Sequence, residues 1–301
     1  MTNDIAVRVH KGSVVQDSIY GKRVRGLDVF LTVIIYTCAG FSILLLAGIM
    51  GYVFVRGLPQ ISWQFLSTVQ SSLKGTFGIL GNIINTIYII VITLIIAAPI
   101  GIGSAIYLNE YAKPGKLVRT IEFTTEILSG IPSIIFGLFG MVFFGMTLKL
   151  GYSVLTGSFT LTLMVLPLIT RNTQEALKTV PDSYRSGALG IGATKWYMIR
   201  TILLPSAAPG ILTGIILSIG RIVGESAALL FTAGSGFQLP KNLFGKLFES
   251  SGTLTIQLYL SMQKAKYDQA FGIAVVLLII VLGINLLTRF LTNRFDVTKL
   301  K

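Results

Sequence analysis

Arg221 and Glu225 stand inside an apolar stretch, in the segment Gly220-Arg-Ile-Val-Gly-Glu-Ser-Ala227. A charged side chain at the middle of a bilayer costs about 2.5–3.5 kcal/mol on insertion scales, so such residues face a bundle interior or an aqueous path. Four positions apart, the two are expected on one helix face. Arginine before glutamate is the weaker order for an ion pair within a helix, which argues against local stabilisation as their reason. Arginine keeps its charge and donates several hydrogen bonds, as oxyanion binding requires, and a nearby carboxylate keeps the anion from being held too tightly to leave. A structural ion pair with another helix is the competing reading. Glu126, a further acidic residue within an apolar run, is a third candidate, the competing reading being a place near the membrane surface. These three are the candidates that the residues themselves offer for lining a polar path.

The residue types needed for catalysis are scarce. His10 is the single histidine and Cys38 the single cysteine, which leaves no metal cluster, no disulfide within the chain and no Ser/His arrangement. Cys38 reads as a packing residue. A Gly-x-x-x-x-Gly-Lys-Ser/Thr phosphate loop is also missing, so the chain itself is not expected to hydrolyse ATP. We therefore expect no catalytic residue, no metal and no cofactor held by this chain.

The elements that must carry the charges are membrane helices. Of 301 residues, 52% are hydrophobic and 12% charged, and the mean hydropathy is +0.77, more apolar surface than a soluble domain buries. A span needs about 20 mostly apolar residues. The runs 27–55, 76–108, 119–147, 157–179, 202–232 and 270–293 predict six such helices and an all-α polytopic membrane protein. Gly and Pro within them, as in Pro99-Ile-Gly-Ile-Gly103, Gly130-Ile-Pro132 and Pro167, mark close packing and kinks.

The net charge of +13 comes from basic residues in short loops and tails, which fits membrane topology rather than nucleic-acid binding. With an inside N-terminus, 17 Lys and Arg fall on the inner side and seven on the outer, Arg221 being intramembrane. Both termini are thus expected in the cytoplasm. The first helix follows a polar tail and is too long for a signal peptide. The expected organisation is a cytoplasmic tail (1–26), a first helix with an outer segment (27–75), a transmembrane core (76–293) and a second cytoplasmic tail (294–301). The outer segment 233–269 is long enough to hold a short surface or re-entrant helix.

Between the fourth and fifth runs lies Val180-Pro-Asp-Ser-Tyr-Arg-Ser-Gly-Ala-Leu-Gly-Ile-Gly-Ala-Thr-Lys-Trp-Tyr-Met-Ile-Arg-Thr-Ile-Leu-Leu-Pro205, polar and basic at its start and amphipathic further on. It resembles the signature loop of importer-type ABC permeases: Glu-Ala-Ala, three residues, Gly, nine residues, then Ile-x-Leu-Pro. Ser186, Gly187 and Ala188 take the first three places, Gly192 the glycine, and Ile202, Leu204 and Pro205 the close. Small residues let a short helix lie in another protein's groove, Gly192 permits a sharp turn, and Pro205 suits a first helical turn. Ser186 departs from the family's glutamate, and Arg185 or Glu175 is expected to substitute for it in part.

The segments Gly220–Ala227, Gly130-Ile-Pro-Ser-Ile-Ile-Phe-Gly137 and Leu229-Leu-Phe-Thr-Ala-Gly234 are similar to those of phosphate permeases, the last to the "A" member of the permease pair, and Arg171 with Glu175, just before the loop, resembles a further basic and acidic cluster of that family, which makes five path candidates in all. The resemblance implies a type I ABC importer permease fold in the plasma (inner) membrane. It further implies a second permease subunit, a dimer of ATP-binding subunits that bind ATP and Mg, and an extracytoplasmic phosphate-binding protein as partners, with membrane lipid around and no nucleic acid. Permeation of sulfate or molybdate, a secondary transporter and a channel are the alternatives.

Overall fold

The computed structural model describes residues 26–71, 76–240, 242 and 244–295. His10 and the basic N-terminal tail, Lys74, Lys241 and the end of the C-terminal tail lie outside them. The chain divides into two compact units, residues 1–51 and 52–301. Within the first, residues 26–51 belong to helix α1 (Gly26–Gly57) and are exposed along their whole length. Cys38 is accordingly a surface residue of an apolar helix and not a packing residue. An apolar helix exposed on every side is stable only where lipid replaces water.

In the second unit, the end of α1 leads into α2 (Trp63–Ser67) and a two-stranded antiparallel hairpin, β1 (Val69–Ser71) and β2 (Thr76–Ile79). The predicted run at 76 thus begins as a strand, because its first four residues pair with β1. Helices α3 (Leu80–Ile106), α6 (Val154–Lys178) and α9 (Leu204–Gly224) form the core, where Ile89 and Ala97, Leu161 and Ile169, and Ile222 and Val223 are buried together. Close approach explains two glycines: a Cβ on Gly101 would fall 2.7 Å from Ile169, and one on Gly214 2.7 Å from Asn172. Pro99 and Pro167 lie inside α3 and α6 without breaking them.

The run 119–147 is not one straight helix. It is α4 (Lys116–Gly130) followed by α5 (Ser133–Gly140) and a π-helical turn to Thr147, with a 101° bend between the two parts. Ile131 precedes proline and is extended (ψ 131°), the conformation that proline imposes on its neighbour. After α6 come α7 (Asp182–Gly190), α8 (Lys195–Met198) and a π-helical turn leading into α9. The run 202–232 breaks as well, into α9 and α10 (Ala227–Thr232). The segment 233–269, expected to be outer, holds a 3-10 turn, Gly245–Phe248, and α11 (Leu254–Gln263) before the last span, α12 (Tyr267–Phe295).

Among the described residues, five helices are long and apolar enough to cross a membrane, or six with the bent pair as one span. The molecule is a mostly helical membrane protein, as its composition requires.

Candidate functional site

Helix α6 repeats side chains every three or four positions, so Met164, Leu168, Arg171, Glu175 and Lys178 share one face. The bend at Gly130–Pro132 brings α4 across that face with Glu122, Thr125, Glu126 and Ser129, again on one side of the helix. Arg221, in the last turn of α9, completes the lining. The result is a cleft of about 380 Å³ among α4, α6 and α9. Fourteen residues separate Met164 from Lys178, so the cleft runs roughly 20 Å along α6.

Three cations, Arg171, Lys178 and Arg221, and three carboxylates, Glu122, Glu126 and Glu175, line it. Among the described residues the three ion pairs within 4.0 Å are Arg185–Glu110, Arg185–Asp182 and Lys246–Glu249. None involves a cleft residue. Six charges thus converge without neutralising one another by contact, which leaves donors and acceptors open to a small polar solute.

The antiparallel packing of α6 and α9 sets the depth of Arg221. Gly210 meets Ala176 and Gly214 meets Asn172, so Arg221, two turns further along α9, comes level with the Met164 end, away from the 180–205 loop. The structure therefore gathers four of the five sequence candidates, Arg171, Glu175, Glu126 and Arg221, into one cleft. Glu122 and Lys178 had escaped sequence reasoning, although Glu122 is four residues from Glu126 and Lys178 three from Glu175, spacings that share a helix face.

Glu225 is the exception, and it does not share a helix face with Arg221. Helix α9 ends at Gly224, and Glu225 is extended (φ −80°, ψ 123°). Its buried carboxylate accepts from the backbone N–H of Ala228 at 3.0 Å, capping α10, and its carbonyl accepts from Thr255 Oγ1 at 2.9 Å. It thereby ties the ends of α9, α10 and α11 together.

The 180–205 loop lies at the Lys178 end of the cleft. In α7, the N–H of Gly192 bonds to Leu189 O at 3.0 Å and that of Ala193 to Ala188 O at 3.0 Å, while Gly192 adopts φ +85°. This is a Schellman helix end, with glycine at the left-handed position and Ala193 packed beside Ala188. Ser186, Gly187 and Leu189 face outward and Ile191 is 87% exposed, whereas Ala188 is buried. Ser186 Oγ donates to Asp182 O at 3.1 Å. Ile202 and Leu204 pack inward at the start of α9, and Pro205 occupies its first turn. Arg185 cannot substitute for a missing docking charge, since it turns inward to Glu110 at 3.0 Å.

The sequence profile of binding-protein-dependent transport system inner membrane components matches residues 97–298. The probable ABC transporter permease protein YqgI of Bacillus subtilis is 35% identical over 84% of this chain and 91% of its own length. The phosphate transport system permease protein PstA of Mycobacterium leprae is 36% identical over 68% of each chain, and that of Xylella fastidiosa strain Temecula1 32% identical over 79% and 83%. A bacterial alginate ABC transporter, crystallised with an alginate pentasaccharide-bound periplasmic protein, shares the fold at a TM-score of 0.68 and 15% identity, over 90% of this chain and 96% of that one. An inward-facing MetNI methionine ABC transporter does so at 0.55 and 21%, over 72% and 94%. The fold is thus shared with ABC importers, and this chain belongs to the family of binding-protein-dependent transport system inner membrane components, their membrane-embedded permease subunits.

Proposed function

We propose that this chain is the permease subunit of an ATP-driven phosphate importer. The cleft that unites Arg171, Lys178 and Arg221 with Glu122, Glu126 and Glu175 carries the proposal. Guanidinium and ammonium groups attract an oxyanion. Carboxylates in the same space repel one, unless the anion brings hydrogens of its own. Phosphate near neutral pH keeps at least one P–OH and can donate it to a carboxylate, whereas sulfate and molybdate have none to give. The PstA relatives favour the same substrate.

In this reading Arg221 meets the anion at the deep end of the path, and the 180–205 loop docks on one of two ATP-binding subunits that hold ATP and Mg. A second permease subunit supplies the other wall, and an extracytoplasmic phosphate-binding protein delivers the solute. Both termini are cytoplasmic and the membrane is the plasma (inner) membrane. Glu225 contributes by holding α9, α10 and α11 together rather than by touching the anion.

The test is uptake of labelled phosphate, sulfate and molybdate by the reconstituted complex, with ATP supplied or withheld. Phosphate alone should accumulate, only with ATP and the ATP-binding subunits present. Arg221→Gln should lower that uptake by about tenfold or more while the complex still assembles, the effect of removing one charged hydrogen-bonding partner. Accumulation driven by an ion gradient without ATP, or normal uptake by the variant, overturns the proposal.

A further inference from the structure

The guanidinium of Arg185 joins three elements at one point. Nη2 donates to Glu110 Oε1 at 3.0 Å and to the carbonyl of Leu177 at 2.9 Å. Nη1 donates to the carbonyl of Val180 at 2.9 Å and to Asp182 at 3.0 Å, and Nε lies 3.3 Å from Glu110 Oε1. Glu110 sits in the π-helical turn that ends α3, Leu177 in the last turn of α6, and Arg185 in α7. The Glu110 side chain is 5% exposed and also accepts from Asn109 Nδ2 at 2.7 Å. A second link runs from the same turn to α8, where Lys195 Nζ lies 4.8 Å from the centre of the Tyr111 ring.

We infer that Glu110 and Arg185 are positioning residues that make the 180–205 loop, the end of α3 and the cleft-bearing end of α6 move as one body. The inference rests on the proposed coupling to an ATPase. Arg185 donates to the carbonyl of Leu177, in the last turn of α6, and to that of Val180 just beyond it, and it does so from the loop itself. A push on α7 is thereby delivered to the turn of α6 that carries Glu175 and Lys178. Fork geometry makes the joint stiff: five N–H groups fixed in a plane hold four oxygens at once, where an ammonium on a flexible stem would hold fewer and swivel. Glu110 is placed to keep that fork turned inward, away from the solvent-exposed face of the loop.

The experiment compares the complete complex carrying Glu110→Gln or Arg185→Lys with the parent, in vesicles, measuring solute accumulated per ATP hydrolysed. Both variants should co-purify with their partners and keep ATP hydrolysis within about twofold, while accumulation per ATP falls about tenfold, the size of an ordinary coupling between sites. Accumulation and hydrolysis falling in proportion, or neither changing, overturns the inference. Should Glu110→Gln not assemble, Arg185→Lys is decisive, since it keeps the charge and a donor. Loss of assembly in both makes the pair a folding element only and also overturns it. A parent complex that accumulates sulfate or molybdate in place of phosphate removes the phosphate proposal alone, and the ratio is then read on that anion.

Discussion

A carboxylate four positions from an arginine shares its face only while the helix continues, and Gly224-Glu225-Ser226 is where α9 stops. The cost of burying Glu225 is offset by a charge-assisted bond to an N–H that has no helical partner, at the start of α10. Glu225→Ala should lose about 1–2 kcal/mol of stability, the range for losing a cap or orphaning a buried donor, seen as a lower unfolding temperature in detergent. Glu225→Gln keeps an acceptor oxygen and should retain most of the unfolding temperature and most of the uptake. Equal loss of uptake in Glu225→Gln and Arg221→Gln, with stability unchanged, would return Glu225 to the path. The sequence announced both charges, because nothing apolar explains them. It also held the signs of the break, glycine followed by a serine suited to a cap, but these are weak beside the hydropathy of the run. The other charges, Glu122 and Lys178, were hidden by their position near the ends of the apolar runs 119–147 and 157–179, where a charge costs little and draws no notice.

At the scale of the element, the loop was the more legible part, because its geometry depends on residues at fixed spacing. Gly192 is the clearest case: φ +85° is the left-handed region, and a Cβ built there meets nothing within 4 Å. Only the backbone conformation, not crowding, therefore resists substitution. Gly192→Ala should cost about 1–2 kcal/mol, the ordinary left-handed penalty for a residue with a side chain. Because this turn orients α7 relative to α8, the variant should also retain less ATP-binding subunit through purification. Gly192→Asn should recover most of both, since asparagine tolerates this conformation. Alanine behaving as glycine in both measurements would mean that the turn is not needed to present α7. The bend at Gly130–Pro132 was legible as a kink, yet its 101° angle was not. Proline sets the residue before it, while packing of α4 across α6 sets the direction, and that depends on residues some 40 positions away in sequence.

For the whole molecule, hydropathy found the spans because lipid imposes a length, and the loop charges then predict an orientation, which side-chain packing does not report. Lys246 illustrates the difference. It counted as an outer-loop charge, yet it is 1% exposed, with Nζ donating to Gln238 O at 2.9 Å and to Glu249 at 3.4 Å. Setting it aside as a structural cation leaves the excess of inner charges intact. Ser186 lies on α7, at the Lys178 end of α6, while Lys264 follows α11, whose Thr255 bonds to Glu225 beyond the far end of α9. With Cys38→Ser as background, a single cysteine at Lys264 should react with an impermeant maleimide added to intact spheroplasts. One at Ser186 should react only in inside-out vesicles or after permeabilisation. Both residues are exposed, so a failure to react reports the membrane and not burial. In the assembled complex, the Ser186 cysteine should also be shielded by the ATP-binding subunit and recover its reactivity when that subunit is stripped away. The reverse pattern would put the loop on the face where ATP is absent, and no ATPase could then drive this permease through it.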